Sequence, residues 1–176
     1  MVGDLTMIVL DTDFFSSFFK IGRLKLILDV SGEEKVVIPG TVYDELKRTS
    51  FFDEILYGMA FSEDDIDDER YILVKRVDLS ICDSFIDSEE ITGLGKGELG
   101  CMVLAKEHGA EILISDRHAR QIARDKRLKA ISIPTFLLRY KRERKISMEE
   151  IKGIIKDLRE KDFYAFSKEV EGELLR

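Results

Sequence analysis

Four acidic residues occupy comparable places along the chain, where an apolar strand ends or a helix begins. Asp11 closes the run "MIVL", and Asp116 follows the run "EILIS". Glu45 lies early in the helix predicted after "VVIPG", and Glu98 lies in the first turn of the helix predicted after "GLG". An acidic residue in a first helical turn complements the helix dipole, so each of them alone is most simply a cap. In a parallel sheet, however, all four places lie at one edge.

A group of carboxylates at one edge has a chemical consequence that a single cap does not have. Two carboxylates ~4 Å apart repel each other by about 4 kcal/mol at an effective dielectric constant of 20. Such a group therefore takes up protons or binds a cation. Mg²⁺ and Mn²⁺ suit it best, because both ions prefer carboxylate oxygen and water. A site of this kind activates a water molecule and shields phosphate charge during attack on a phosphodiester.

The elements that would position these acids alternate along the sequence. Short apolar strands are predicted at 7–10, 36–38, 111–115 and 130–133, and helices with one apolar face at 41–48 and 96–108. The stretch 71–77 is either a further strand or an extended connection. Strands that alternate with helices indicate βαβ units, and thus an α/β fold in which helices cover both faces of a parallel sheet.

The end of the chain is predicted to be helical. "SMEE" (147–150) fits a capping box from Ser147 to Glu150. It precedes apolar residues at helical spacing, at 151, 154, 155 and 158, and the apolar pattern continues in a last helix with Phe163, Phe166 and Val170. We expect residues 1–146 to form the main domain and residues 147–176 a C-terminal helical extension packed on it.

Composition excludes several classes of protein. With 44% hydrophobic and 36% charged residues, the chain has the composition of a globular protein rather than of a disordered one. It has neither an apolar run of roughly 18–20 residues nor a leader-like N-terminus, so a cytoplasmic location is the default expectation. Two cysteines, Cys82 and Cys101, without a CxxC motif exclude a Cys-rich zinc site.

Charge is distributed unevenly within a net charge of −7. Residues 62–90 contain 11 acidic and three basic residues, whereas residues 117–145 contain 11 basic and two acidic ones. A basic face near acidic chemistry would suit a polyanionic substrate, although a charged run is often only a solvated face. The segment "RYKRERK" (139–145) fits both interpretations. The acidic stretch 61–70 is the segment most expected to be mobile.

Four blocks of this sequence resemble a known family. They are "IVLDTDFF", "VIPGTVYDELKR", "GKGELGCMVLAKEHGAEILISDRHAR" and "LKAISIP". In order and spacing they are similar to the PIN domain, a metal-dependent nuclease fold that includes the VapC-type toxins of toxin–antitoxin systems. The resemblance covers about residues 6–134. It implies a three-layer α/β/α fold with a central parallel sheet, to which this chain adds its C-terminal helices.

The resemblance also implies a function and a set of site residues. The function is that of a Mg²⁺- or Mn²⁺-dependent endoribonuclease, with RNA as substrate, an antitoxin protein as a further partner and a homodimer as the assembly. The metal-binding and catalytic residues it implies are Asp11, Glu45, Glu98 and Asp116. Residues expected to assist the metal site or to steer the RNA backbone are Thr12, Lys96, Arg117 and Arg120.

Two departures from the family pattern concern the acids themselves. Asp13 stands where the family commonly has Asn or Ser, which adds a fifth carboxylate. Around the fourth acid the family often has Thr-Asp-Asp, whereas this chain has Ser115 followed by the single Asp116.

Two other functions stay open at the level of sequence. One is a PIN-like module that binds nucleic acid or a protein partner with weak or no catalytic activity. The other is a small-molecule phosphohydrolase with an Asp nucleophile in a DxDx[TV] loop. The stretch "DTDFF" has the paired Asp residues of that loop but places Phe15 where Thr or Val is expected.

Overall fold

The computed structural model describes residues 7–176, which form six strands and ten α-helices. The strands are β1 (Ile8–Leu10), β2 (Val36–Pro39), β3 (Met59–Ala60), β4 (Ile72–Lys75), β5 (Glu111–Leu113) and β6 (Lys129–Ile131). The helices are α1 (Thr12–Lys20), α2 (Leu24–Ser31), α3 (Gly40–Leu46), α4 (Phe52–Leu56), α5 (Ser88–Thr92), α6 (Lys96–His108), α7 (Arg117–Asp125), α8 (Ile133–Arg142), α9 (Met148–Lys161) and α10 (Lys168–Leu174).

All six strands are parallel and form one sheet in the order β3-β4-β2-β1-β5-β6. β1 lies in the middle, where Val9 is opposite Val37 of β2 and Ile112 of β5. The three residues of β1 are buried, as expected for a strand covered on both faces. The chain is thus a three-layer α/β/α fold, and the fold class predicted from the sequence is confirmed.

The predicted strands are present, with small differences at their ends. The strand predicted at 130–133 ends at Ile131, because the Ser132 hydroxyl accepts a hydrogen bond from Thr135 N and starts α8. The stretch 71–77 contains the strand β4. The sequence did not predict β3, since two residues are too few to show a periodic pattern.

The C-terminal helices share the core of the sheet domain. The capping box at the start of α9 is confirmed, with Ser147 Oγ and the Glu150 carboxylate each accepting from the other residue's backbone N–H. The apolar side chains of α9 are buried in the same cluster as β1: Ile151, Ile154, Ile155 and Leu158. The predicted places of Phe163 and Phe166 in the last helix are wrong. Both residues lie between α9 and α10, and the side chain of Phe163 is exposed.

Two further features concern the surface. The acidic stretch 61–70 contains a short 3₁₀ turn at Glu63–Asp65, all three residues of which are exposed, and its mobility stays a prediction. No helix within residues 7–176 combines the length and the apolar content that crossing a membrane requires.

Candidate active site

An acidic pocket opens at the carboxyl edge of the sheet, where β1 leads into α1 and β2 into α3. Parallel α/β folds commonly bind ligands at this edge, because the loops that follow the strands converge there. The residues that line the pocket are Asp11, Thr12, Asp13, Glu45, Gly95 and Glu98. Three of the four acids predicted to form the site therefore meet in one pocket.

Asp11 is the deepest of these acids, with only 3% of its surface exposed. Its Oδ1 accepts a hydrogen bond from Phe14 N at 2.7 Å, which caps α1, and its Oδ2 accepts one from Ser115 N at 3.1 Å. Burial raises the pKa of Asp11 to about 8; the two N–H donors act against this rise, and the charges of Asp13 and Glu98 add to it. Asp11 thus caps a helix and also ties β1 to the loop after β5.

Glu45 reaches the pocket from α3 and is fixed at both of its oxygens. Oε1 accepts a hydrogen bond from Gly97 N at 2.9 Å, and Oε2 accepts one from the Thr12 hydroxyl. A Cβ on residue 97 would lie 2.6 Å from Oε2, so only glycine leaves room for this carboxylate. Thr12, expected to assist the metal site, thus contacts one of its proposed ligands directly.

Glu98 lies in the first turn of α6, as predicted. Its Oε2 accepts a hydrogen bond from Gly95 N at 2.9 Å, so the side chain folds back over the start of its own helix. Burial raises the pKa of Glu98, and the charges of Asp116, Asp13 and Glu45 raise it further. All three acids are therefore close enough to Glu98 to disfavour its ionised form.

Asp13 joins the pocket although the resemblance assigns it no role. Partial burial raises its pKa first, followed by the charges of Glu45, Asp162 and Asp116. In the sequence, its signal is the second acid of "DTD", at a position where the family commonly has Asn or Ser.

Asp116 lies beside the pocket rather than in its lining. Its Oδ1 accepts a hydrogen bond from Ala119 N at 2.7 Å and caps α7. Its charge nevertheless acts on both Glu98 and Asp13. Two hydroxyl oxygens near this edge, Thr41 Oγ1 and Ser115 Oγ, are buried with no hydrogen-bonding partner in the part of the chain described.

The donor set suits a hard divalent cation. The pocket offers carboxylate oxygens and a hydroxyl, and it has no sulfur or imidazole ligand in its lining. Across residues 7–176, no three His, Cys, Asp or Glu side chains converge closely enough to form a ready-made metal site. Glu45 and Glu98 turn instead toward backbone N–H groups, so binding an ion would require these carboxylates to rotate.

The predicted substrate-binding cations differ in their surroundings. Lys96 and Arg117 are exposed, at the first positions of α6 and α7. Arg120 is partly buried, and its Nη1 donates to the carbonyl oxygens of Ile114 and Ser115 at 3.1 Å each. Arg120 therefore holds the loop after β5 in place, while Lys96 and Arg117 are open to solvent.

The basic segment 139–145 lies away from the pocket. Because α8 starts at the carboxyl edge and runs back along the sheet, its last turn reaches the opposite edge. There Arg139 binds both oxygens of Glu111, the first residue of β5, at 2.6 and 2.9 Å. Arg142 pairs with Glu173 of α10 at 2.9 Å, and Lys145 donates to Val30 O at 2.8 Å.

A three-layer α/β/α fold with acids gathered at the carboxyl edge of its parallel sheet defines a class of nuclease-like domains. A sequence model of the family described as PIN domain matches residues 7–176. The chain belongs to the PIN-domain family. No curated protein and no solved structure matches it significantly.

Proposed function

We propose that this PIN domain is a metal-dependent endoribonuclease that hydrolyses RNA phosphodiester bonds with Mg²⁺ or Mn²⁺. The observation that carries the proposal is the pocket in which Asp11, Asp13, Glu45 and Glu98 meet at the carboxyl edge of the sheet. The charges of neighbouring acids raise the pKa values of Glu98 and Asp13. The fully ionised pocket is therefore unfavourable unless it binds a cation or protons.

The residues of the chain have distinct roles in this proposal. Asp11, Glu45, Glu98 and Asp116 would hold the ion directly or through water, and Asp13 adds a fifth carboxylate. When bound, such an ion supplies an activated water molecule and neutralises charge on the phosphate. Thr12 orients Glu45 through their hydrogen bond, and Ser115 N orients Asp11. The exposed Lys96 and Arg117 steer the RNA backbone.

The family also supports proposals about partners. We infer that an antitoxin protein controls the enzyme and that the enzyme forms a homodimer, both of which rest on the likeness to toxin nucleases alone. We also propose that the enzyme acts in the cytoplasm, the default expectation for a sequence without a long apolar run. We also propose that residues 147–176 form a helical extension packed on the nuclease domain. The burial of the apolar face of α9 supports this division.

One observation favours a second candidate, a PIN-like module that binds nucleic acid or a partner without turnover. Glu45 and Glu98 are engaged by backbone N–H groups, and their carboxylates do not converge. Calorimetry with Mn²⁺ separates the two functions, because a module without a working site would show no specific binding of the ion.

Cleavage assays on single-stranded RNAs test the proposal. Asp11→Asn, Glu45→Gln and Glu98→Gln should each lower the rate by at least about 100-fold in Mn²⁺, since each removes a charged oxygen ligand, and EDTA should abolish cleavage by the wild type. Asp44→Asn is the matched control. Asp44 lies next to Glu45 on α3, but it is exposed and pairs with Lys47 at 2.8 Å.

The control variant should cleave like the wild type, and all variants should melt as folded proteins. Full activity of Asp11→Asn or Glu98→Gln would show that the pocket is not the active site. Equal loss in Asp44→Asn would indicate a general effect of charge instead.

A further inference from the structure

A second pocket lies at the amino edge of the sheet, opposite the edge that carries the acids. It has a volume of about 260 Å³ and lies where α1 ends, α2 begins and the chain enters β4. We call it the amino-edge pocket; its lining residues are Phe19, Gly22, Leu24, Lys25 and Tyr71. None of them lines the acidic pocket, since the acids of α1 stand at its start and Phe19 stands near its end.

The wall of the amino-edge pocket is largely carbon. Leu24 is buried, and the aromatic side chains of Phe19 and Tyr71 are partly exposed. The volume limits what can enter, because a cavity of about 150 Å³ already takes up benzene and sites for drug-sized ligands span roughly 300–1,000 Å³. This pocket therefore has room for one aromatic ring with a short substituent.

Both aromatic side chains are held in place by their neighbours. The ring of Phe19 stacks on that of Phe51, with centroids 5.0 Å apart. The ring of Tyr71 lies against Gly58, so closely that a Cβ on residue 58 would be 2.9 Å from Tyr71 Cε1. Neither ring has to be ordered when a ligand enters, which removes one of the usual costs of binding.

Lys25 supplies a positive charge at this pocket. Its Nζ lies 4.9 Å from the centroid of the Tyr71 ring. The neighbouring cation Arg23 pairs with Asp157 of α9 at 3.6 Å, whereas no carboxylate of residues 7–176 forms an ion pair with Lys25. The charge of Lys25 is therefore available to an anion from solution.

The Tyr71 hydroxyl is a second polar group without a partner. It makes no hydrogen bond to another side chain in the described part of the chain, and burial raises the pKa of Tyr71, so the hydroxyl keeps its proton at neutral pH. A hydroxyl and an ammonium group close together offer two kinds of donor to one acceptor. A carboxylate or a phosphate monoester can accept from both, whereas an uncharged ring accepts from neither.

We propose that the amino-edge pocket binds a small aromatic anion, whose ring contacts Phe19 and Tyr71 and whose carboxylate or phosphate group accepts hydrogen bonds from Lys25 and the Tyr71 hydroxyl. The carbon wall favours the ring, and the two donors favour the negative charge. No residue of the acidic pocket takes part, so the inference does not depend on the proposed function.

Binding of phenylacetate and of phenyl phosphate tests the inference. EDTA is present so that phosphate does not bind through an ion at the acidic pocket. In ¹H–¹⁵N NMR spectra of the full chain, the amide signals of Gly22, Lys25 and Tyr71 should move on addition of either probe. Those of Gly95 and Glu98, at the acidic pocket, should not move. The probe that binds more tightly identifies the anionic group that the site prefers.

The charge of the ligand is tested with variants of Lys25. Lys25→Met should weaken the binding of phenylacetate by about 3- to 10-fold, which is the effect of one exposed ion pair with a hydrogen bond, and Lys25→Arg should keep most of the affinity. Lys106→Met is the matched control and should bind like the wild type. Lys106 Nζ also lies over an aromatic ring, 5.6 Å from the centroid of Phe85, but Lys106 does not line the amino-edge pocket.

The hydroxyl is tested with Tyr71→Phe, which keeps the ring. This variant should lose about 5-fold in affinity, the effect of one hydrogen bond, and should melt like the wild type, because the hydroxyl has no partner in the described part of the chain. Phenylacetamide, which keeps the ring of phenylacetate but has no charge, should bind at least about 3-fold more weakly than phenylacetate.

Four results would overturn the inference. They are no shift at the amino-edge pocket with about 10 mM of either probe, which is the weak end for ligands of this size; equal affinity for phenylacetamide and phenylacetate; wild-type affinity in Lys25→Met; and shifts at Gly95 and Glu98 instead. Each of them leaves the proposed nuclease activity untouched, because cleavage is measured separately.

Discussion

Asp11 does two things that an ordinary helix cap does not do. Its carboxylate bridges the start of α1 and the loop after β5, and it is almost fully buried beside other acids. Two N–H donors favour the charged form, but burial outweighs them and raises the pKa to about 8. The residue is therefore held in a place where its negative charge is unfavourable.

This raised pKa predicts how stability depends on pH in the absence of metal. The folded protein keeps the proton of Asp11 up to about pH 8, whereas the unfolded chain releases it near the ordinary value of 3.8. Between these values the folded state binds more protons, so the free energy of unfolding should fall as the pH rises. Asp11→Asn should reduce this fall, to which Glu98 and Asp13 also contribute, and should be more stable than the wild type by ~1 kcal/mol near neutral pH. Urea unfolding in EDTA across this range measures both effects.

Addition of Mn²⁺ provides the control for this prediction. Stabilisation of the wild type should grow with the logarithm of the ion concentration above Kd, and Asp11→Asn should reduce it. Asn is itself a good cap, so a residue that only capped α1 would show neither the pH effect nor the weaker response to the ion. Identical melts of the two proteins under all conditions would therefore leave Asp11 as a cap.

The pocket also depends on how closely two helices approach. α6 packs on α3, and this contact brings Gly97 N to the carboxylate of Glu45. One turn along, Gly100 faces Thr41 and Pro39: a Cβ at residue 100 would clash with the Thr41 hydroxyl and lie 2.9 Å from Pro39 Cβ. Gly97 and Gly100 of "GKGELG" thus allow a close helix contact, and the motif lacks phosphate-binding spacing.

Two glycine-to-alanine variants test this contact. Gly100→Ala should lower the free energy of unfolding by about 1–3 kcal/mol, because the added methyl group forces α6 away from α3. Gly172→Ala, in α10, is the matched control, since a Cβ there meets no atom within 4 Å. It should raise stability by about 0.5–1 kcal/mol, as alanine favours a helix more than glycine does. Equal stability gains in both variants would show that the two helices leave more room than this packing allows.

The elements and the acids differ in how far the sequence predicted them. Apolar runs and cap residues predicted the central strands and the capping box at Ser147, because both patterns depend only on residues close in the sequence. The resemblance placed Asp11, Glu45 and Glu98 together, and the pocket agrees. The exposure of Phe163 was missed, because helical spacing alone cannot show that α9 ends before it. The edge strand Met59–Ala60 was missed because it is held mainly by pairing with β4, which is not local in sequence.

Charge is segregated across the whole molecule in a way that the linear sequence did not reveal. The basic run from 117 to 145 divides between two edges of the sheet, since α7 starts at the carboxyl edge and α8 ends at the amino edge. In its last part, Arg139 is paired with Glu111 and Arg142 with Glu173. The part of the basic face nearest the acidic pocket is therefore the start of α7, together with Lys96 at the start of α6.

Two matched double variants distinguish these surfaces. Lys96→Ala with Arg117→Ala removes two charges near the pocket, and Lys141→Ala with Arg142→Ala removes two at the end of α8. For single-stranded RNA, each lost phosphate contact should reduce the slope of log affinity against log salt by about 0.7. We expect the first pair to flatten the slope by about 1.4, whereas the second pair should leave it unchanged. Fluorescence anisotropy over a range of salt, in the Glu98→Gln background to prevent cleavage, measures the slopes. If the second pair flattens the slope and the first does not, RNA crosses the protein at the amino edge, away from the acids that are proposed to cut it.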